Sequence, residues 1–157
     1  TAHHTKTQTI GNLATKGTLN SELFHKSVEN HPDVKIIEQI GHGLVQLIEN
    51  GDINSPEMEE LIKSYLNPMV EKNIDYLVLG CSHYPYLITQ IQKIIPSHIK
   101  IIDSGEAVAK QTQKIIEQNH LLNSSKEKSS QIFYTNSEPE VLETILNHNE
   151  KVIYKNF

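Results

Sequence analysis

An α/β fold, with a parallel β-sheet sandwiched by helices, is predicted by three features of this sequence. Segments typical of strands alternate with segments typical of helices, and parallel strands need helical crossovers between them. The run Tyr76–Gly80 is continuously apolar and too short for a helix, which is typical of a strand buried on both faces. The chain has 157 residues, of which 37% are hydrophobic, so it can form one domain, or one domain with a small additional element.

Short apolar runs bounded by turn residues predict five strands. In chain order these are Thr9–Ala14, residues 34–40, Tyr76–Gly80, residues 99–102 and residues 131–135. Gly41 and Gly43 follow the second strand and allow a tight turn into the short apolar segment 44–49.

Apolar residues at three- and four-residue spacing predict the helices, which cover residues 18–30, 56–72, 84–95, 106–122 and 139–146. Ser55 can cap the second of these helices, and Pro56 suits its first turn. Ser137 and Glu140 have the spacing of a capping box for the last one. The polar, serine-rich segment 123–130 is predicted to be a linker.

The charge pattern argues against a nucleic-acid partner. Asp and Glu number 19 against 14 Lys and Arg, which gives a net charge of −5. All the cationic residues are lysines, so a bidentate arginine clamp on a carboxylate or phosphate has no source in these residues. An anionic substrate would be held by hydroxyls, backbone amides or lysine.

A reducing cytoplasm is the expected location. The single cysteine, Cys81, cannot form an intramolecular disulfide. No apolar run reaches the length of about 18–20 residues that a membrane helix needs, and the first residues are too polar for a signal peptide.

Parallel sheets bind their ligands at the carboxyl ends of the strands, which directs attention to Cys81 and His83. Cys81 follows the most apolar strand directly, and the start of the next helix would favour its thiolate. His83, two residues later, could assist that thiolate or exchange protons with a substrate. From spacing alone, a buried inert cysteine beside a solvated histidine explains the same pattern.

Two other turns at this edge have alternative explanations. Thr15, Thr18 and Ser21 could bind a carboxylate together with nearby amides, or they could simply cap a helix. Asp103 and Ser104 are equally consistent with a helix cap. Neither a dinucleotide-binding glycine pattern nor a P-loop is present, and no histidine spacing suggests zinc, so we assign no metal and no cofactor.

Several motifs resemble those of glutamate racemases. They are LVLGCSHYPYL from Leu77, LATKGTLNSELF from Leu13, GLVQLIENG from Gly43, IIDSGEAVA from Ile101 and FYTNSEPE from Phe133. The resemblance implies cofactor-independent interconversion of L- and D-glutamate by two cysteines, which provides D-glutamate for peptidoglycan. The related aspartate racemases usually carry an acidic residue at the position of His83.

The resemblance also implies roles for individual residues. Cys81 corresponds to the second catalytic cysteine, which acts on L-glutamate, and His83 is its proton-handling partner. Glu49 corresponds to the acidic residue that orients this histidine. Ser82 replaces a usual threonine in contact with the substrate, and Thr15 and Thr18 correspond to hydroxyls near the bound amino acid.

The first cysteine of the family does not occur in these residues, so we expect the C-terminal portion of a racemase that is inactive alone. In this interpretation residues 1–8 are an interdomain segment, 9–122 the second α/β domain, 123–130 a linker and 131–157 a strand-helix tail. The tail would pack on the absent N-terminal half, and the enzyme would be a homodimer. A non-catalytic module that binds a small acidic ligand or a protein partner is the alternative.

Overall fold

The computed structural model describes residues 4–125, 127, 129–146 and 148–157. The chain divides into two compact units. The first contains the residues up to Ile48 together with Asp52–Ser104. The second contains Glu49–Gly51 and Gly105–Phe157. This division lies after Ser104, whereas the sequence places a boundary at residue 122, and the assignment of domains stays a prediction.

A four-stranded parallel sheet forms the centre of the first unit, with the order β2-β1-β3-β4. The strands are β1 (Thr9–Ala14), β2 (Lys35–Ile40), β3 (Tyr76–Gly80) and β4 (Lys100–Ile102). At the carboxyl edge, Ala14 of β1 pairs with Ile40 on one side and with Gly80 on the other. The predicted α/β fold with a parallel sheet is therefore confirmed.

Helices connect these strands. They are α1 (Lys16–Leu19), α2 (Glu22–Glu29), α3 (Leu44–Glu49), α4 (Pro56–Glu71) and α5 (Ile88–Ile94), with a 3-10 turn at Tyr84–Leu87. The predicted cap of α4 is confirmed, because the Ser55 hydroxyl accepts a hydrogen bond of 3.1 Å from the Met58 N–H. Four apolar residues of α4 are buried in the core, namely Met58, Ile62, Leu66 and Met69.

The prediction of one continuous helix over residues 18–30 is wrong. Asn20 ends α1, since its backbone N–H bonds back to the carbonyls of Lys16 and Thr18. The Ser21 hydroxyl then caps α2 by accepting a hydrogen bond of 3.2 Å from the Phe24 N–H. The C-cap at Asn20 and the N-cap at Ser21 thus end one helix and begin the next, although the apolar spacing continues across the break.

The helix predicted over residues 84–95 has two parts. Its first turn is 3-10, with the Tyr84 N–H bonded to the Cys81 carbonyl and the Tyr86 N–H bonded to the His83 carbonyl. At its end Ile95 is extended (φ −86°, ψ 149°), because the residue before a proline avoids the helical conformation.

The second unit contains α6 (Gly105–Gln118), β5 (Phe133–Thr135), α7 (Pro139–Ile145) and β6 (Val152–Tyr154). The strands β5 and β6 pair in parallel, and β6 was not predicted from the sequence. The described residues of 123–130 lie in no helix or strand. Within the described part of the chain, no helix is both long and apolar enough to cross a membrane.

Two predicted helix ends in this unit are wrong. α6 stops at Gln118 rather than residue 122, because His120 adopts a left-handed conformation (φ 57°) and the Leu121 N–H bonds back to the Ile116 carbonyl. The Ser137–Glu140 capping box does not form, since Glu138 occupies the N-cap position without a side-chain cap.

Candidate active site

The candidate site lies at the carboxyl edge of β1 and β3. Ala14 and Gly80 pair at the ends of these strands, so the loops that begin at Thr15 and Cys81 leave the sheet side by side. This is the edge at which ligands bind in parallel sheets. The structure thereby brings together two sequence motifs that are more than sixty residues apart.

A hydroxyl network joins the two loops. The Thr18 hydroxyl donates a hydrogen bond of 2.9 Å to the Gly80 carbonyl oxygen, and the hydroxyls of Thr15 and Thr18 lie 3.1 Å apart. The Thr15 hydroxyl also accepts a hydrogen bond of 3.3 Å from the Thr18 N–H. Both threonines are half-buried. These bonds hold the first loop against the end of β3, so the threonine side chains have a structural role here in addition to any contact with a ligand.

Gly80 is required by close packing at this edge. A Cβ at this position would lie 2.7 Å from the Ala14 Cβ and 3.3 Å from both the Asn12 Oδ1 and the Thr18 Cγ2. The Ala14 methyl cannot move without its strand, so a larger residue would displace β3 or the loop after it. The position of Cys81 therefore depends on the residue before it having no side chain.

Cys81, Ser82 and His83 form a tight turn with their side chains close together. The Cys81 Sγ and the His83 Nδ1 are 4.0 Å apart, and the Ser82 Oγ is 3.3 Å from the same nitrogen. Cys81 and His83 are half-buried and Ser82 is exposed. The thiol is free of any disulfide and partly accessible. The thiol and the imidazole are neighbours at the outer limit of a hydrogen bond to sulfur, and an imidazole in this position can assist a thiol that acts as base and acid.

Tyr84 anchors this turn to the neighbouring strand. Its side chain is fully buried, and its hydroxyl donates a hydrogen bond of 3.1 Å to the Gly41 carbonyl, just beyond β2. Burial, the negative charge of the Cys81 thiolate and the nearby Tyr65 raise the pKa of the Tyr84 phenol to about 12. Tyr84 therefore stays neutral at physiological pH and serves as an anchor rather than a base.

Sequence reasoning did not identify Tyr84 as an anchor. Its position directly after His83 in an apolar segment was the available signal, but the partner, Gly41, lies 43 residues away. Periodicity within one segment says nothing about such a distant carbonyl.

Three other residues singled out by the sequence are Glu49, Asp103 and Ser104. Glu49 is the last residue of α3 and its side chain is exposed, and its role in orienting His83 stays a prediction. Asp103 and Ser104 follow β4. Among the described residues, no group of three or more His, Cys, Asp or Glu side chains is arranged to hold a metal ion.

Comparisons with known proteins show which family this chain matches. The family model described as Asp/Glu/Hydantoin racemase matches residues 1–112. A glutamate racemase of Pseudomonas putida (strain GB-1) is 38% identical over 143 residues, which are 90% of this chain and 54% of that protein. The chain thus spans about half the length of the curated relatives that it matches.

Two solved structures match most of the chain. The crystal structure of glutamate racemase isoform RacE1 from Bacillus anthracis has a TM-score of 0.78 at 26% identity and covers 98% of this chain and 59% of that chain. The glutamate racemase of Francisella tularensis subsp. tularensis SCHU S4, solved in complex with D-glutamate, has a TM-score of 0.77 at 27% identity and covers 96% and 57%.

Proposed function

We propose that this chain, which belongs to the Asp/Glu/Hydantoin racemase family, is the part of a glutamate racemase that carries one of its two proton-transferring thiols. The observation that carries the proposal is the position of Cys81 at the carboxyl end of β3, with its Sγ 4.0 Å from the His83 Nδ1. The curated relatives are named glutamate racemase, and one solved relative was crystallised with D-glutamate.

The reaction needs one proton transfer on each face of the substrate α-carbon. The Cys81 thiolate takes the α-proton of L-glutamate and becomes a thiol, and the electron pair of the broken C–H bond stays on the carbon. A second thiol, contributed by the part of the enzyme outside these residues, gives its proton to the opposite face and becomes a thiolate. The product is D-glutamate, and the reverse reaction restores both sulfur atoms to their starting states.

His83 and the neighbouring hydroxyls support this transfer. The imidazole can hold the proton that Cys81 must lose before it acts as a base. Thr15 and Ser82 provide hydroxyl donors for the substrate carboxylates, which suits a chain whose cationic residues are all lysines. Thr18, whose hydroxyl proton goes to the Gly80 carbonyl, lies beside the bound amino acid in this proposal. Glu49 is proposed to orient His83. We propose no metal and no cofactor.

The proposal extends to the whole enzyme. The whole enzyme is proposed to act in the cytoplasm as a homodimer and to supply D-glutamate for peptidoglycan. These residues hold a single cysteine, so they do not racemise glutamate without the upstream half.

Deuterium exchange tests the proposal. The enzyme that includes the upstream half is incubated in heavy water with L- or D-glutamate, and NMR follows deuterium at the α-carbon. Cys81→Ala is expected to lower exchange from L-glutamate by about 10²–10⁴-fold. His83→Asn is also expected to lower this exchange. Its matched control is His98→Asn, at an exposed position, which should leave the exchange unchanged. Full exchange in Cys81→Ala would overturn the proposal.

A non-catalytic module is the second candidate, because only one cysteine is present in these residues. Such a module would bind a small acidic ligand or a protein partner without breaking the C–H bond. An NMR titration with glutamate that shows saturable shifts at Thr15 and Ser82, combined with no deuterium exchange in the longer protein, would favour it.

A further inference from the structure

The short loop that follows β2 is held by two tyrosine hydroxyls from different parts of the chain. This loop comprises residues 41–43 and leads from β2 into α3. The Tyr84 hydroxyl donates a hydrogen bond of 3.1 Å to the Gly41 carbonyl. The Tyr65 hydroxyl, on α4, donates one of 2.8 Å to the next carbonyl, that of His42. Two consecutive carbonyls of one loop are thus each bound by a phenol.

Gly41 connects this loop to the candidate site through its backbone. Its N–H donates a hydrogen bond of 3.0 Å to the carbonyl of Ala14, the last residue of β1. Ala14 pairs with Gly80 at the end of β3, and Cys81 follows directly. On its other side, Gly41 accepts the hydrogen bond of Tyr84, whose own N–H bonds to the Cys81 carbonyl at 3.3 Å. Gly41 therefore contacts both the strand end beside Cys81 and the tyrosine that follows the turn.

Close packing prevents the loop and the Tyr84 ring from moving independently. A Cβ on Gly41 would overlap the Tyr84 hydroxyl and would lie 2.9 Å from its Cζ. The Tyr84 side chain is fully buried. Burial raises the pKa of the Tyr65 phenol, as it does that of Tyr84, so both hydroxyls keep the protons that they donate at physiological pH. A displacement of the loop is therefore transmitted to Tyr84.

A displacement of the turn after β3 would act directly on proton transfer. The Cys81 Sγ and the His83 Nδ1 are already 4.0 Å apart, so a small further separation breaks their contact. Groups that transfer protons must be held close to the reacting atoms, and a misplacement of about 1 Å can lower a rate by roughly 100-fold. Residues that fix this turn can therefore change the rate without touching the substrate.

We propose that Tyr65 and Tyr84 are positioning residues for the Cys81 thiol, on which they act through the 41–43 loop and the turn after β3. The proposal rests on the proposed function of Cys81 as the base for L-glutamate and deepens it by giving a helix remote in sequence, α4, a part in the reaction. Tyr84 acts on the turn directly. Tyr65 acts one carbonyl further away, so its loss has the smaller effect.

Isotope effects on racemisation distinguish positioning from a loss of stability. The enzyme that includes the upstream half is assayed with L- and D-glutamate that carry hydrogen or deuterium at the α-carbon. Cys81 removes this atom from L-glutamate in the proposed function, and the other thiol removes it from D-glutamate. If transfer at Cys81 becomes slower, the isotope effect rises with L-glutamate and does not rise with D-glutamate.

We expect this asymmetric change in both tyrosine variants. The value of kcat/KM per folded enzyme should fall about 10-fold in Tyr84→Phe and about 3-fold in Tyr65→Phe. Because both thiols take part in each direction, it falls for both enantiomers. Tyr65 is half-buried, so Tyr65→Phe tests the proposal independently of how well Tyr84→Phe folds.

Ser55→Ala is the matched control for stability. It removes the N-cap of α4, the helix that contains Tyr65, and so destabilises the same element. It should leave kcat/KM per folded enzyme and both isotope effects unchanged, with the folded fraction of each variant measured by circular dichroism.

The outcomes separate this proposal from the one on which it rests. Tyrosine variants that keep the rate and both isotope effects of the unmodified enzyme would overturn the positioning role alone. A lower rate with unchanged isotope effects would show a purely structural role and would overturn it as well. An unmodified enzyme that does not racemise glutamate would overturn the proposed function and the positioning role together.

Discussion

The two units of this chain differ in how they treat their apolar side chains. The first packs its strands and helices around a core in which Leu13, Ile62 and Leu77 have no exposed surface. In the second, α6 has no buried residue, and Val108 and Ile115 are 60% and 45% exposed. Among the described residues of that unit, Val152 is the one buried apolar side chain.

The stability of the two units therefore depends to different degrees on contacts with other parts of a protein. A short amphipathic helix such as α6 gains most of its stability from covering its apolar face. A large exposed apolar surface commonly marks an interaction site. The exposed apolar residues of α6 are therefore typical of an interaction surface, whereas the first unit carries its own core.

A matched pair of isoleucine variants tests the difference in burial between the two units, and the change in stability expected from it is the largest of those described below. Ile62→Ala in α4 removes a fully buried side chain and should lower the free energy of unfolding by about 2–5 kcal/mol. Ile115→Ala in α6 removes an exposed one and should change it by less than about 0.5 kcal/mol. Urea denaturation followed by circular dichroism measures both, and equal effects would contradict the comparison.

The packing of the first unit extends to the edge of its sheet, as a pair of glycine variants should show. Gly80→Ala forces a Cβ against the Ala14 methyl and should destabilise the chain by about 1–3 kcal/mol. Gly17→Ala is the control, since the nearest atom to its added Cβ is the Thr15 Oγ1 at 4.0 Å. Thermal unfolding distinguishes them, and a neutral Gly80→Ala would refute the close packing described for this edge.

A pair of tyrosines compares a buried hydroxyl with an exposed one. Tyr84→Phe leaves the Gly41 carbonyl without its donor and should cost about 1–2 kcal/mol. Tyr134→Phe in β5, where the side chain is 46% exposed, should cost little.

Stability at alkaline pH provides a second test of the difference between Tyr84 and Tyr134. Burial and the nearby Cys81 thiolate raise the pKa of Tyr84 from its ordinary value of 10.0 to about 12. The neutral phenol thus stabilises the fold fully below pH 10, and this contribution is lost as the pH rises from 10 to about 12. Stability measured from pH 8 to 12 should fall less steeply in Tyr84→Phe than in the unmodified chain, whereas Tyr134→Phe should leave the slope unchanged.

The smallest expected effect concerns Asp75, which ties the N-terminal segment to the start of β3. Partial burial raises the pKa of its carboxyl, but hydrogen bonds from Thr5, Lys6 and Thr7 outweigh this and lower the pKa below the ordinary value of 3.8. The ionised carboxylate stabilises the fold above about pH 4, and the contribution is lost as the pH falls below that value.

Asp75→Asn should remove this acid-dependent contribution. The loss of stability between pH 5 and 3 should then be smaller than in the unmodified chain, as measured by denaturation at each pH. Glu140→Gln, at an exposed position in α7 of the second unit, is the control. An identical acid dependence in Asp75→Asn and the unmodified chain would show that these hydrogen bonds do not stabilise the fold.

Local sequence patterns were sufficient for much of the first unit. The strand Tyr76–Gly80 and the helix α4 with its Ser55 cap were predicted because a continuous apolar run and a capped periodic segment are properties of neighbouring residues. Helix ends were harder to predict. The break at Asn20 and Ser21, and the left-handed turn at His120, depend on backbone hydrogen bonds that apolar spacing does not encode.

The candidate site shows the same limit. Sequence patterns were enough to predict the fold class, the motif that contains Cys81 and His83, and their position directly after an apolar strand. The bond from Thr18 to the Gly80 carbonyl and the contact by which Tyr84 anchors the turn to Gly41 became visible in the folded chain. The physical reason is distance along the chain: periodicity reports on neighbouring residues, whereas these contacts depend on which strands lie beside each other in the sheet.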